Sequence, residues 1–115
     1  MPSPDLPDAA WFLPLPTAVF HILVSLATRD AHGYAIMQEV ASRAGVKMGP
    51  GTLYTTVRRL LEQGLVVELR TAPDGDGADP RRRYYQLTPL GRDVARAEAA
   101  RLTDLVRQAR AMGLA

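Results

Sequence analysis

Residues 49–64 read GPGTLYTTVRRLLEQG and residues 65–88 read LVVELRTAPDGDGADPRRRYYQLT; these two adjacent stretches decide the fold. In the first, apolar residues recur at helical spacing after a Gly-Pro-Gly turn, and Gly64 suits a C-terminal cap. The apolar face consists of Leu53, Val57, Leu60 and Leu61. In the second, two segments rich in β-branched and aromatic residues flank a cluster of turn formers at 72–80, which predicts a β-hairpin.

Two further helices are predicted upstream of these stretches. The first begins near Pro16, and its apolar face consists of Val19, Ile22, Leu23 and Leu26. The second ends near Gly45, and its predicted apolar face consists of Tyr34, Met37, Val40 and Ala41. Both faces follow the spacing of an amphipathic helix.

A long final helix is predicted downstream, because Thr88 suits an N-cap, Pro89 suits the first helical position, and helical spacing continues to about Met112. The order helix, helix, helix, hairpin, helix predicts a mainly α fold with a β-hairpin wing, namely a winged helix-turn-helix plus a long C-terminal helix. The predicted organisation is an N-terminal arm at 1–15, a winged helix-turn-helix domain at 16–88 and a C-terminal helix at 89–115.

Length and composition narrow the class of protein. A chain of 115 residues with 47% hydrophobic and 23% charged residues suits one globular domain. No apolar run approaches the ~20 residues that span a bilayer, and the N-terminal segment does not resemble a secretory signal. The absence of cysteine excludes disulfides and thiolate metal sites. We therefore expect a cytoplasmic protein without a membrane anchor, metal site or cofactor, and without an enzymatic centre.

Positive charge is concentrated in the middle of the chain. Residues 43–92 carry nine basic against five acidic groups, and 13 of the 14 basic residues in the protein are arginine. Arginine presents a planar fork that suits phosphates and guanine edges. Solvated surface arginines explain the charge equally well, so charge alone leaves nucleic-acid binding open.

Several short motifs, taken in order, resemble the PadR family of bacterial transcriptional regulators in its short form. They are His32-Gly33-Tyr34, Gly51-Thr52-Leu53-Tyr54, Arg59-Leu60, Gly64-Leu65-Val66, Arg82-Arg83-Tyr84-Tyr85-x-Leu87-Thr88 and Gly91. The resemblance runs from about Leu15 to Arg92. It implies a DNA-binding winged helix-turn-helix that dimerises through its last helix.

The third helix is the predicted reader of DNA. Its polar side lies opposite the apolar face, where an arginine can bind a guanine edge and a threonine can contact a base. An exposed helix face is polar in any case, which is the alternative explanation. The candidate DNA-binding residues of this helix are Gly51, Thr52, Tyr54, Thr55, Thr56, Arg58 and Arg59.

The second strand of the hairpin begins with Arg81, Arg82 and Arg83, which we expect to contact the DNA backbone. A charged edge strand that resists aggregation is the alternative. Alternation along the strand places Tyr85 in the core.

The last helix carries an alanine-rich seam that suits close helix pairing, and we expect it to form an isologous dimer. The predicted interface consists of Ala95, Ala99, Leu102, Leu105, Val106, Ala109 and Met112. The alternative is a helix folded back on its own core. Some short family members bind flat aromatic drugs between subunits; Trp11 and Phe12 are candidates to line such a pocket, or else pack in the ordinary way.

The sequence thus predicts a ligand-responsive homodimeric repressor that binds double-stranded DNA at a pseudo-palindromic operator, with a small aromatic effector as a candidate partner. The alternative hypothesis is a winged-helix module that binds another protein without specific DNA binding.

Overall fold

The computed structural model describes residues 8–69 and 82–115, and its elements follow the predicted order. The helices are α1 (Thr17–Ser25), α2 (Gly33–Ala44), α3 (Pro50–Glu62) and α4 (Pro89–Ala111). The strands are β1 (Ala31–His32), β2 (Val66–Leu69) and β3 (Tyr84–Leu87), and a 3₁₀ turn at Ala9–Phe12 precedes α1. The predicted fold, mainly α with a β-hairpin and a long last helix, is confirmed.

Local sequence signals set the ends of the helices. Gly45 and Gly64 adopt left-handed φ angles of 68° and 76° after α2 and α3, a conformation that glycine reaches without strain. The Thr88 hydroxyl accepts a hydrogen bond of 2.9 Å from the Gly91 N–H, which caps α4 as predicted. These caps fix where the chain turns between the helices and the sheet.

The sheet has the strand order β1-β3-β2 in the described residues, and all its pairs are antiparallel. In the hairpin, Val66 lies opposite Leu87 and Leu69 lies opposite Tyr84. Strand β1 was not predicted, since two residues are too short to show a period; it extends the sheet by pairing with β3. The tip of the predicted hairpin and Arg81 lie outside the described residues.

One core cluster joins the three helices, the hairpin and the start of α4. Its fully buried members include Ile22, Leu23, Ile36, Val40, Leu53, Leu60, Leu65 and Val94. Tyr85 is buried, as the strand alternation predicted. The predicted face of α2 is confirmed at Val40, which is fully buried, but it is wrong at Tyr34 and Ala41, which are exposed, because α2 turns Ile36 inward.

The N-terminal half of α4 packs tightly on its own chain. A Cβ atom placed on Gly91 would lie 2.0 Å from the Leu65 carbonyl oxygen, so only glycine allows this approach. Two turns further, Glu98 is buried, accepts hydrogen bonds from Arg101 at 2.6 and 2.9 Å, and accepts the Leu15 N–H at 3.2 Å. The segment before α1 is thereby fastened to α4.

Candidate nucleic-acid interface

Helix α3 presents a continuous polar face to solvent. Its apolar residues Leu53, Val57 and Leu60 are buried, and the opposite face carries the exposed Thr52, Thr55 and Arg59. Thr56, also predicted on this face, is half-buried. A helix fastened along one side and polar along the other has the form required to enter a DNA major groove.

A groove of about 500 Å³ runs beside α3, between the start of α2 and strand β3. It is lined by His32, Gly33, Tyr34, Tyr54, Arg58, Arg82, Arg83 and Tyr85. Tyr54 crosses the start of α2 so closely that a Cβ on Gly33 would lie 2.6 Å from its hydroxyl oxygen. The fold therefore brings the third helix, the wing strand and the second helix to one shared surface.

The tyrosine at the start of α3 flanks the core stripe of that helix. Tyr54 remains 48% exposed, with its ring against Gly33 and its hydroxyl at the groove. An amphipathic ring of this kind packs on one side and can donate a hydrogen bond on the other. Tyr54 therefore adds an uncharged hydroxyl to the groove.

Arginine dominates the charge of the groove. Arg58 on α3 and Arg82 and Arg83 before β3 all line it. The Arg83 Nε lies 3.5 Å from a Glu68 carboxylate oxygen, an exposed pair that contributes little stability. Burial, and next the Arg82 charge, lower the pKa of His32 below its ordinary value of 6.5. The groove therefore presents cationic and neutral donors, which suit an anionic ligand.

The structure brings together Tyr54, Arg58, Arg82 and Arg83 in the groove, and it places Thr52, Thr55 and Arg59 on the adjacent face of α3. Gly51 is exposed in the first turn of α3. Arg81 lies outside the described residues.

Sequence reasoning missed four lining residues, namely His32, Gly33, Tyr34 and Tyr85. Tyr34 and Tyr85 were expected in the core, and His32 and Gly33 were named only within a family motif. The signal was the triplet His32-Gly33-Tyr34 itself, because a glycine between two aromatic residues at a helix start indicates a close approach.

The C-terminal half of α4 leaves apolar side chains uncovered by the described chain. Leu105 is 46% exposed, Val106 is 45% exposed and Met112 is 80% exposed. A shallow groove on this helix is lined by Leu102, Thr103, Val106, Arg107 and Arg110. Of the predicted interface, Ala95 packs partly on the core of its own chain, and Ala99 is exposed.

Trp11 and Phe12 lie in the 3₁₀ turn that contacts α4. Their rings meet edge to face with centroids 5.2 Å apart, and Trp11 is 74% exposed whereas Phe12 packs on the core. The two grooves described above are lined by other residues.

Comparison with known proteins agrees with this architecture. The model of the transcriptional regulator PadR-like family matches residues 22–97. The chain belongs to this family. It is 39% identical over 88 residues to the transcriptional regulator Rv3488 of Mycobacterium tuberculosis, a match that covers 76% of this chain and 78% of Rv3488.

Solved structures show the same PadR fold. A PadR family transcription regulator from Clostridium difficile superposes with a TM-score of 0.73 at 23% identity, over 84% of this chain and 98% of the other. The Bacillus subtilis PadR structure in complex with operator DNA gives a TM-score of 0.62 at 19% identity, over 71% of this chain and 46% of the other.

Family membership makes this chain a transcriptional regulator rather than an enzyme. Over the two described ranges, no helix is long and apolar enough to cross a membrane. The same residues contain no group of three or more histidine, aspartate or glutamate side chains placed to hold a metal ion.

Proposed function

We propose that this PadR-like regulator is a homodimeric repressor that binds double-stranded DNA at an inverted-repeat operator. The observation that carries the proposal is the joint surface of α3 and the arginine-lined groove, where a polar helix face adjoins three arginines. The PadR of Bacillus subtilis, whose structure is a complex with operator DNA, has this fold and supports the proposal that this chain binds DNA.

In this proposal the outer face of α3 reads bases. Arg59 can donate two parallel hydrogen bonds to one guanine, and the exposed Thr52 and Thr55 offer both a hydroxyl and a methyl group. Because Leu53, Val57 and Leu60 are buried in the same helix, these side chains project from a rigid element.

The groove residues serve as the phosphate anchor. Arg58, Arg82 and Arg83 can neutralise neighbouring phosphates, and Tyr54 can donate its hydroxyl hydrogen. Such contacts set the position of the protein on the duplex without reading its sequence.

Dimerisation places two such surfaces on one duplex. A second copy can cover, about a two-fold axis, a seam of α4 formed by the exposed Val106 and the half-buried Leu102 and Ala109. Two recognition helices related by a two-fold axis read two half-sites that are inverted repeats.

A signal would change operator binding through α4. The 3₁₀ turn with Trp11 contacts α4, so a flat aromatic effector bound at Trp11 would change how the two α4 helices meet. A change in that angle alters the spacing of the two α3 helices and hence operator affinity.

The test is selection of duplexes from a random library with the full chain, followed by titration of the enriched sequence. We expect an enriched inverted repeat and a binding constant that falls steeply with salt. Replacing Arg59 with alanine should weaken binding to the selected duplex by about tenfold or more, because one bidentate base contact is worth about 1–3 kcal/mol.

Arg96→Ala is the matched control, since it removes the same charge from an exposed position of α4. If Arg59→Ala binds the selected duplex as tightly as the control, the base-reading role of α3 is wrong. If no sequence is enriched and binding is weak and insensitive to salt, the chain is instead a module that binds protein.

A further inference from the structure

Each of the two ring nitrogens of His32 faces a hydrogen-bond donor. As the N-cap of α2, its Nδ1 lies 3.2 Å from the Ala35 amide nitrogen, in position to accept that N–H. Its other ring nitrogen, Nε2, lies 3.2 Å from Nη1 of Arg82. A neutral imidazole has one donor and one acceptor nitrogen, whereas the guanidinium of Arg82 has donors only.

Whichever ring nitrogen carries the proton, one of these two contacts sets a donor against a donor. If Nδ1 accepts from Ala35, Nε2 carries the hydrogen and faces the Arg82 N–H. If Nε2 accepts from Arg82, Nδ1 carries the hydrogen and faces the Ala35 N–H. Protonation of both nitrogens adds a positive charge beside Arg82 and removes both acceptors.

An anionic oxygen that lies beside the pair and bridges Nε2 and the guanidinium removes the conflict. It accepts from Nε2–H and from Arg82 together, while Nδ1 continues to accept the Ala35 N–H. Burial and the Arg82 charge lower the pKa of His32, which keeps the ring in the neutral form with a single hydrogen.

The groove around this pair is suited to a phosphate. Arg58 and Arg83 add positive charge, and Tyr34 and Tyr54 line the same space. The Tyr34 hydroxyl accepts a hydrogen bond from Gln38 at 3.2 Å, so its own hydrogen remains available for donation. The negative charge of Glu68, which would repel a phosphate, is partly neutralised by the ion pair of Glu68 with Arg83.

We propose that His32 and Arg82 form a two-donor clamp for one phosphate group of the DNA backbone, at the junction of α2 and the wing. The inference rests on the proposed function and adds to it a phosphate-binding residue on α2. His32 thus has two roles, since one nitrogen caps the helix and the other binds the ligand.

The test uses His32→Asn and Arg82→Gln in the full chain. Asparagine is a favoured N-cap, so it can still accept the Ala35 N–H while it lacks the Nε2 donor. Each variant should bind duplex DNA about tenfold more weakly than the wild type, as expected for one charge-assisted hydrogen bond. His32→Asp keeps a good cap but adds a negative charge, and it should lose more affinity than His32→Asn.

The shared phosphate is located by substituting single phosphates of the duplex with uncharged methylphosphonates. For the wild type, substitution of several phosphates in each half-site should weaken binding, since Arg58, Arg83 and Tyr54 also line the groove. At one of these phosphates, the same one for both variants, His32→Asn and Arg82→Gln should be insensitive. Arg82→Gln should also lower the slope of log affinity against log salt by about 1.8 for the bound dimer, because each of its two protomers then releases one counterion fewer. His32→Asn should leave the slope unchanged, since a neutral ring releases none.

Other outcomes overturn the clamp. It is wrong if the two variants become insensitive at different phosphates, or if His32→Asn binds as the wild type does while its melting temperature is unchanged. If inorganic phosphate shifts the His32 ring resonances but duplex affinity does not depend on His32, the site takes a small phosphate compound and the DNA assignment is wrong.

Failure of the clamp and failure of the proposed function can be told apart. Phosphate contacts carry no sequence information, so a random duplex at low salt also tests the clamp. If binding to the random duplex depends on His32 and Arg82 although no sequence is preferred, the clamp stands and specific readout fails. If a selected operator is bound and neither variant weakens it, readout stands and the clamp fails.

Discussion

The two halves of α4 differ in what covers them, although both carry apolar residues at helical spacing. In the N-terminal half, Gly91, Val94 and Glu98 are buried against the chain's own domain. In the C-terminal half, Leu105, Val106 and Met112 are between 45% and 80% exposed. The helix is therefore completed within the described chain along its first half and left uncovered by the described chain along its second half.

The difference shows that helical periodicity predicts which face is apolar, but it does not identify the element or the second chain that covers this face. The seam of Ala99, Leu102, Val106 and Ala109 is centred about 80° around the helix from Val94 and Glu98, given 100° per residue. The chain's own domain buries Val94 and Glu98 in the N-terminal half and leaves much of the seam to solvent. Variants of the two halves should consequently affect different equilibria, folding in one case and self-association in the other.

The largest effect is expected at the buried end. Gly91→Ala places a methyl group against the Leu65 carbonyl, a backbone atom that cannot move alone. We expect a loss of about 3 kcal/mol or more in the free energy of unfolding, and a melting temperature lower by roughly 10 °C. Urea denaturation measures the change in unfolding free energy, and thermal denaturation measures the change in melting temperature, both at a fixed protein concentration.

Gly51→Ala is the matched control, because Gly51 also lies in the first turn of a helix but has no neighbouring atom within 4 Å of the point where the added methyl carbon would lie. It should be neutral or stabilising by up to about 1 kcal/mol. Because alanine has the higher helix propensity, a loss in Gly91→Ala cannot come from propensity. Equal losses in both variants would therefore show that the contact of Gly91 with Leu65 is not the cause.

A smaller loss is expected when the buried carboxylate becomes neutral. Glu98→Gln removes the charge that accepts hydrogen bonds from Arg101 and from the Leu15 amide, at a cost of about 2 kcal/mol in unfolding free energy. Urea denaturation at pH 7 compares the two proteins.

The stability gap between wild type and Glu98→Gln should depend on pH. The Arg101 hydrogen bonds hold the pKa of Glu98 below its ordinary value of 4.5, against the opposing effect of burial. A carboxylate with a lowered folded-state pKa stabilises the protein above the unfolded-state value and loses that contribution as pH falls through the folded-state pKa. The difference in unfolding free energy should have its full value above pH 4.5 and should decrease below that pH. A difference that grows on acidification would contradict the stabilising role of the Glu98 carboxylate.

A charge in the uncovered half should affect assembly rather than folding. Val106→Asp puts a carboxylate on the seam, and we expect self-association to weaken at least tenfold, about 1.4 kcal/mol. Sedimentation equilibrium over a range of concentrations measures the change. Ala100→Asp, on the opposite side of α4, is the control and should associate as the wild type does. Equal association of both variants would mean that the seam does not form the dimer.

The smallest effect is expected at the exposed aromatic residue of the arm. Trp11→Ala removes a ring that is 74% exposed, so the unfolding free energy of the single chain should change by less than about 0.5 kcal/mol. Denaturation at low protein concentration tests this. A loss that appears only when the protein is concentrated would place Trp11 at the interface between copies.

The sequence alone determined the elements and their order. Glycine, threonine and proline act through the local backbone, so the ends of α2, α3 and α4 follow from Gly45, Gly64, Thr88 and Pro89. The faces of α1 and α3 followed from periodicity, as did the burial of Tyr85. The motifs of α2, α3 and β3 also indicated the family before any contact was known.

Tertiary structure decided which residues meet. Strand β1, the inward turn of Ile36 in place of Tyr34, and the buried Glu98 all depend on partners distant in sequence, which no local pattern encodes. The same holds for the groove, since His32 and Arg82 are 50 positions apart and become neighbours only when β1 pairs with β3. Periodicity and capping are properties of consecutive residues, whereas a binding surface depends on how separate elements pack.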